Sequence, residues 1–75
     1  MLFLIEYDRS RGEIVTFIEF GDDKSRSAEQ ARLEMELDLN RRGVEREVVL
    51  LEAENEEALR RTHRRYFEDL AQLVS

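Results

Sequence analysis

Two carboxylates, Glu6 and Asp8, close the first apolar run of the chain, Leu2-Phe3-Leu4-Ile5. A pair of acids at the end of a strand can begin a site that binds divalent cations for hydrolysis, so a metal-dependent hydrolase at Glu6 and Asp8 is one reading. The chain is short for the rest of such a site, and Asp8 has a sufficient role in starting a turn. His63, the only histidine, could serve as a general base or metal ligand. No second His and no Cys exist to complete a metal site, and its spacing places it beside an apolar stripe, where a packed, hydrogen-bonded histidine is the simpler reading. Arg60, Arg61, Arg64 and Arg65 form a basic strip that could contact phosphates. Four pairs at i,i+4 nearly cancel it: Glu56 with Arg60, Glu57 with Arg61, Arg64 with Glu68, and Arg65 with Asp69. Tyr66 and Phe67 could stack on bases, yet at helical spacing within an apolar stripe they read as core. No glycine-rich phosphate loop, nucleophile elbow or CxxC pair occurs.

Composition narrows the classes further. The 75 residues, numbered 1–75, make a single domain, and one of this size is marginal without a staple. With no cysteine and one histidine, neither a disulfide nor a protein-only zinc site is available, which leaves self-association. Charged residues make up 40% of the chain and the net charge is −6, a balance that disfavours nucleic acid and anionic membrane as partners. At 41%, hydrophobic residues are too many for a disordered chain. The first apolar run is too short to span a bilayer, and no basic residue precedes it, so a secretory signal is not expected. Met1 begins a chain that reads as a complete small protein, and the lack of cysteine fits a reducing cytoplasm.

These residues must be held by a small set of elements. Leu2 to Tyr7 alternates Leu2 and Leu4 against Phe3, Ile5 and Tyr7, apolar on both faces, as in a strand covered on both sides. Asp8-Arg9-Ser10-Arg11-Gly12 is turn chemistry. Glu13 to Phe20 is dense in β-branched and aromatic residues, completing a hairpin, with Ile14, Ile18 and Phe20 on one face and Val15 and Phe17 on the other. Ser27 with Gln30, or Ser25, caps a helix running to about Asn40, ended by Arg41, Arg42 and Gly43. Ala28, Ala31, Met35 and Leu39 form its inner stripe, and Leu33 and Leu37 lie nearly opposite. Val48 to Leu51 is a third strand. Asn55 caps a second helix whose stripe of Leu59, Thr62, His63, Tyr66, Phe67, Leu70 and Ala71 runs on towards Leu73 and Val74.

The order ββαβα predicts an α+β fold: a three-stranded sheet of order 2-1-3 with two helices, packed as a two-layer sandwich. Helices on one face would leave apolar residues bare on the other, including Val15 and Phe17, in addition to Leu33 and Leu37, unless the second helix crosses to that face; otherwise a second subunit covers it, or the edges of strand two pair. These four are the expected interface residues. The chain reads as a cytoplasmic homodimer acting through protein contacts as an accessory or regulatory module, without catalysis or cofactor. A nucleic-acid module using the helix-two arginines is the alternative.

Overall fold

A computed structural model describes residues 1–68 of the chain. Strand β1 spans Leu2–Asp8, β2 spans Glu13–Phe20 and β3 spans Glu47–Glu52, in one sheet of order β2-β1-β3. β1 is antiparallel to both neighbours, as the ββαβα reading requires. Helix α1 spans Ser25–Arg42 and α2 spans Glu56–Thr62.

The hairpin turn is built by Asp8. Its Oδ1 accepts hydrogen bonds from Ser10 N–H, Ser10 Oγ–H and Arg11 N–H at 3.0, 2.7 and 3.2 Å. Gly12 closes the turn at φ +66°, a left-handed conformation that side chains with a Cβ resist. The two strands then pair with a bulge between Glu6 and Tyr7, so Glu6 faces Thr16 while Tyr7 faces Ile14. Val15 is the extra residue. The bulge turns Ile14 onto the side of Phe17, where it packs against the core. Simple alternation, which groups Ile14 with Ile18 and Phe20, is corrected by this one-residue slip.

Both faces of β1 are covered, each by one helix. Phe3, Ile5 and Tyr7 cluster with Leu59 of α2 and with Tyr66. Leu4, on the opposite face, is fully buried, and α1 packs against all three strands with Ala28 and Leu39 buried. Leu39 lines one groove with Asp8 and Val48, which share the face of Leu4. The α+β fold of order 2-1-3 with two helices stands, and of the two placements open to the second helix it takes the one that puts a helix on each face. The physical reason is the two-sided apolarity of the central strand, which a single helical layer cannot satisfy.

Helix ends follow local chemistry. α1 starts at Ser25 directly after a 3₁₀ turn at Asp22–Lys24, and no side chain caps it, so neither Ser27 nor Ser25 is the N-cap. It ends at Gly43, whose φ of +67° lets its N–H reach Asn40 O at 3.2 Å. Asn55 caps α2, its Oδ1 accepting from Ala58 N–H at 2.8 Å. The second helix is shorter than its stripe: it stops at Thr62, His63 leaves helical geometry at φ −126° and ψ 53°, and Arg64–Tyr66 form a 3₁₀ turn. That break brings Tyr66 edge-on to Tyr7, with ring centroids 5.1 Å apart. Leu70, Ala71, Leu73 and Val74 lie outside the described residues, as does the Arg65–Asp69 pair. Among the described residues, no helix is long and apolar enough to cross a membrane.

Candidate functional site

Glu6 and Asp8 are largely buried on the sheet, at 8% and 7% exposure. Both follow Leu2 and Leu4 on the α1 face of β1 by alternation. Glu6 Oε1 accepts from Thr16 Oγ1–H at 2.8 Å, and Glu6 Oε2 lies 3.4 Å from Arg46 Nε. Arg46 Nη1 is 3.9 Å from Asp8 Oδ2 and donates to Glu45 O at 3.2 Å. One guanidinium thus supplies positive charge to two buried carboxylates, the place a cation would take in a hydrolase. The Ser10 hydroxyl is the main influence holding the Asp8 carboxyl below its usual range. Burial opposes it, and Arg11 N–H and the charge of Arg46 assist. An acid held ionised and bonded in this way serves the turn. Arg46 escaped the sequence reading; its signal was its position just ahead of β3, which lies antiparallel to the end of β1.

Beside the acids, between the C-terminal half of α1 and the ends of β1 and β3, lies a groove of about 660 Å³. Leu39, Val44 and Val48 give it apolar surface, and Asp8, Glu36 and Arg46 give it charge. Among the described residues, no three acids or histidines gather as a metal site would require.

The four arginines do not form one strip. Arg60 pairs with Glu56 at 3.7 Å and lies over the Phe67 ring at 4.6 Å. Arg64 pairs with Glu68 at 3.1 Å. Arg65 turns back across the sheet edge and donates from Nη2 to both oxygens of Glu47, at 3.0 and 2.8 Å, and to Tyr66 Oη at 2.6 Å. Arg61 makes no ion pair with Glu57 or any other described acid. The break at His63 separates Arg60 and Arg61 from Arg64 and Arg65, so the regular strip expected of one long helix is lost. Burial pushes the Glu47 carboxyl up, but the hydrogen bonds of Arg65 and Tyr66, with the charges of Arg65 and Arg9, outweigh it and the group ends below its ordinary range. Tyr66 is pushed up, first by burial and then by the carboxylate of Glu47. His63 is half-buried, its Nδ1 2.9 Å from Thr62 Oγ1.

The apolar surface residues divide. Phe17 is half-buried and packs inward, its ring centroid 5.7 Å from Phe3 and 6.0 Å from Phe67. Val15 is 49% exposed, raised by the bulge, and Ile18 is 39% exposed on the same edge strand. Leu33 and Leu37 are 50% and 52% exposed, one turn apart on the outer surface of α1. Comparison of the chain with protein-family models, with curated proteins and with solved structures finds no match.

Proposed function

We propose that the chain is a small non-catalytic accessory module that works through protein contacts and forms a homodimer. The observation that supports this reading is the outward pair Leu33 and Leu37, each about half exposed on the longest helix. Nothing else in the described fold covers them, whereas every large side chain of β1 from Phe3 onward is buried. The two acids that could have done chemistry are held by Thr16, Ser10 and Arg46, which suits a structural role for them. A cytoplasmic setting belongs to the same proposal, since this fold closes without a disulfide and has no need of an oxidising compartment.

Magnitudes set the expected strength. Fully burying a leucine is worth about 1.5–3 kcal/mol, so completing the burial of four half-exposed leucines across a two-fold contact contributes roughly 4 kcal/mol. Micromolar association needs about 8 kcal/mol. The neighbouring stems and polar groups must supply the rest, and the dimer should dissociate on dilution. Light scattering across a dilution series tests the proposal. A dimer at high micromolar concentration that becomes monomer in Leu33→Glu/Leu37→Glu, with unchanged far-UV circular dichroism, is the expected result. A wild-type chain that stays monomeric throughout the series overturns it.

A further inference from the structure

We propose that the outer edge of β3 takes up an extended, basic segment of another protein as a fourth, antiparallel strand. The inference names a partner class for the accessory role proposed above. It uses a surface other than Leu33 and Leu37, so it is tested apart from the homodimer. The hydrogen-bond phase of the sheet shows what this edge offers. Met1 and Ala53 exchange both backbone bonds, Met1 N donating to Ala53 O at 2.9 Å and Ala53 N to Met1 O at 3.0 Å. Bonded and non-bonded pairs alternate along an antiparallel ladder. β1 and β3 pair without a register shift from Leu2–Glu52 to Tyr7–Glu47, so Phe3–Leu51, Ile5–Val49 and Tyr7–Glu47 are the bonded pairs. Val48, Leu50 and Glu52 therefore turn their N–H and C=O groups away from β1. Among the described residues no strand lies beyond β3, and no other backbone bond takes these groups. Three donors and three acceptors stand in one row, the template that strand addition uses. The β2 edge differs. The same alternation bonds Leu2, Leu4 and Glu6 to Phe20, Ile18 and Thr16, which turns Phe17 and Glu19 outward, and the bulge at Val15 then breaks the row.

Charge decides the occupant. The middle of β3, Val48-Val49-Leu50-Leu51, is half-buried throughout. Glu52 and Glu54 follow it and Glu45 precedes it. All three are exposed, and none has an ion-pair partner among the described residues. Glu47 is held by Arg65, and Arg46 is spent on Glu6 and Asp8. The open charge along this edge is therefore negative. A second copy does not answer it. Self-pairing that uses all three outward residues centres on Leu50 and sets Glu52 against Val48 twice. Only Arg46 then stands opposite Glu54, and its charge is already engaged. Each copy also carries a net charge of −6, which opposes close approach. A strand with cations opposite Glu52 and Glu54, and β-branched residues opposite Val48 to Leu51, satisfies both the backbone row and the carboxylates. Opposite charges paired across strands favour that register.

The probe is the peptide acetyl-Lys-Thr-Lys-Val-Ile-Val-Thr-amide, titrated into the full chain at low salt and followed by amide NMR. Antiparallel addition sets its two lysines opposite Glu54 and Glu52 and its isoleucine opposite Leu50. The amides of Val48, Leu50 and Glu52 should shift saturably and gain about tenfold or more protection from hydrogen exchange, because these three acquire a bond. Val49 and Leu51, already bonded to β1, should change less. A twin peptide with glutamate for both lysines should bind about tenfold more weakly, and Glu52→Lys should reverse much of that preference. N-methylation of the isoleucine, whose N–H meets Leu50 O, should abolish binding, whereas N-methylation of either valine should not. Equal affinity for the two peptides, indifference to the methylated position, shifts centred away from β3, or no saturable shift overturns the proposal. Protection of these three amides in the free chain that is lost on dilution also overturns it, since a second copy then holds the edge. Light scattering on the same samples keeps the two ideas apart. A dimer that ignores the peptide sinks the strand addition and leaves the homodimer standing, whereas a monomer that binds it does the reverse.

Discussion

On the α2 face of the sheet the core is rich in aromatic rings. Phe3, Ile5 and Tyr7 meet Leu59 and Tyr66, with Phe17 tilted against Phe3 and edge-on to Phe67 beside them. On the α1 face the same strand presents Leu4 and then two carboxylates, and α1 meets them with small or half-buried residues and leaves Arg46 to answer the charge. One face is held by rings from β1, β2 and the turn after α2, to which the seven-residue helix adds Leu59. The other is held by a long helix whose inner stripe buries little and whose outer stripe keeps two leucines in water. The difference explains why the outward apolar surface sits on α1 and not on α2. A short helix tucked under aromatic side chains offers no outer apolar pair, whereas the 18-residue helix has one turn of leucines left facing out.

The largest expected effect is Phe3→Ala. Removing a fully buried ring costs about 3–5 kcal/mol. Against a total stability of order 5 kcal/mol for a domain this small, the variant should be largely unfolded at 37 °C by circular dichroism. Leu4→Ala, equally buried on the other face, should cost about 2–5 kcal/mol, less than the ring because fewer buried atoms are removed. Equal losses in urea titrations would mean that the α1 face is packed at least as closely as the α2 face and would remove the contrast.

The second effect concerns the ions. Arg46→Met leaves two buried carboxylates without their cation, and breaking one partner from a buried ion group is more costly than replacing the whole group. A fall in melting temperature of roughly 5–10 °C is expected. Adding Glu6→Gln and Asp8→Asn to Arg46→Met should recover part of that loss by removing the unanswered charge. A melting temperature for Arg46→Met equal to wild type would show that the α1 face does not depend on this cluster.

Much of this contrast was legible in the residues, and the parts that were not have specific causes. The two-sided apolarity of Leu2 to Tyr7, the turn ending at Gly12, the glycine stop at Gly43 and the Asn55 cap each have a local signal and stand where that signal places them. The bulge does not: one extra residue at Val15 leaves no mark in an apolar run, yet it moves Ile14 to the other face. The end of α2 was hidden because Thr62, His63, Tyr66 and Phe67 keep helical spacing through a chain that leaves the helix, tertiary contact with Tyr7 overriding the pattern. Glu6 and Asp8 drew attention as candidate chemistry. Their burial with Arg46 depends on the β1–β3 register and on the position of α1, and neither is written in a single strand.

Asn55→Ala tests the α2 face at its entry. It removes the acceptor for Ala58 N–H and should cost about 1 kcal/mol, within the range of about 0.5–2 kcal/mol for such caps. Because Leu59 lies within the first turn and packs on Phe3, Ile5 and Tyr7, hydrogen exchange should accelerate first at α2 and not along α1. Equal acceleration in both helices would mean that the two faces open as one unit.

The smallest effect separates the faces by titration. Asp8 on the α1 face and Glu47 on the α2 face both have folded pKa values below their ordinary values of 3.8 and 4.5. A carboxylate depressed in the folded state contributes stability that is complete above its unfolded pKa and is lost as pH falls through the folded one. Both contributions should therefore be full at neutral pH and fade from about pH 4 downward. Their causes differ. For Asp8 the leading influence is the Ser10 hydroxyl, so Ser10→Ala should move its titration up towards 3.8 and leave Glu47 in place. For Glu47 burial is opposed first by Arg65 and then by Tyr66, so Arg65→Met removes the larger favourable influence and should move its titration up while Asp8 stays put. Carboxyl-carbon NMR across pH 2–6 reads both groups in one sample. Movement of both by either substitution would show that the two faces are coupled through β1, and the division of the molecule into an aromatic side and an ionic side would have to be given up.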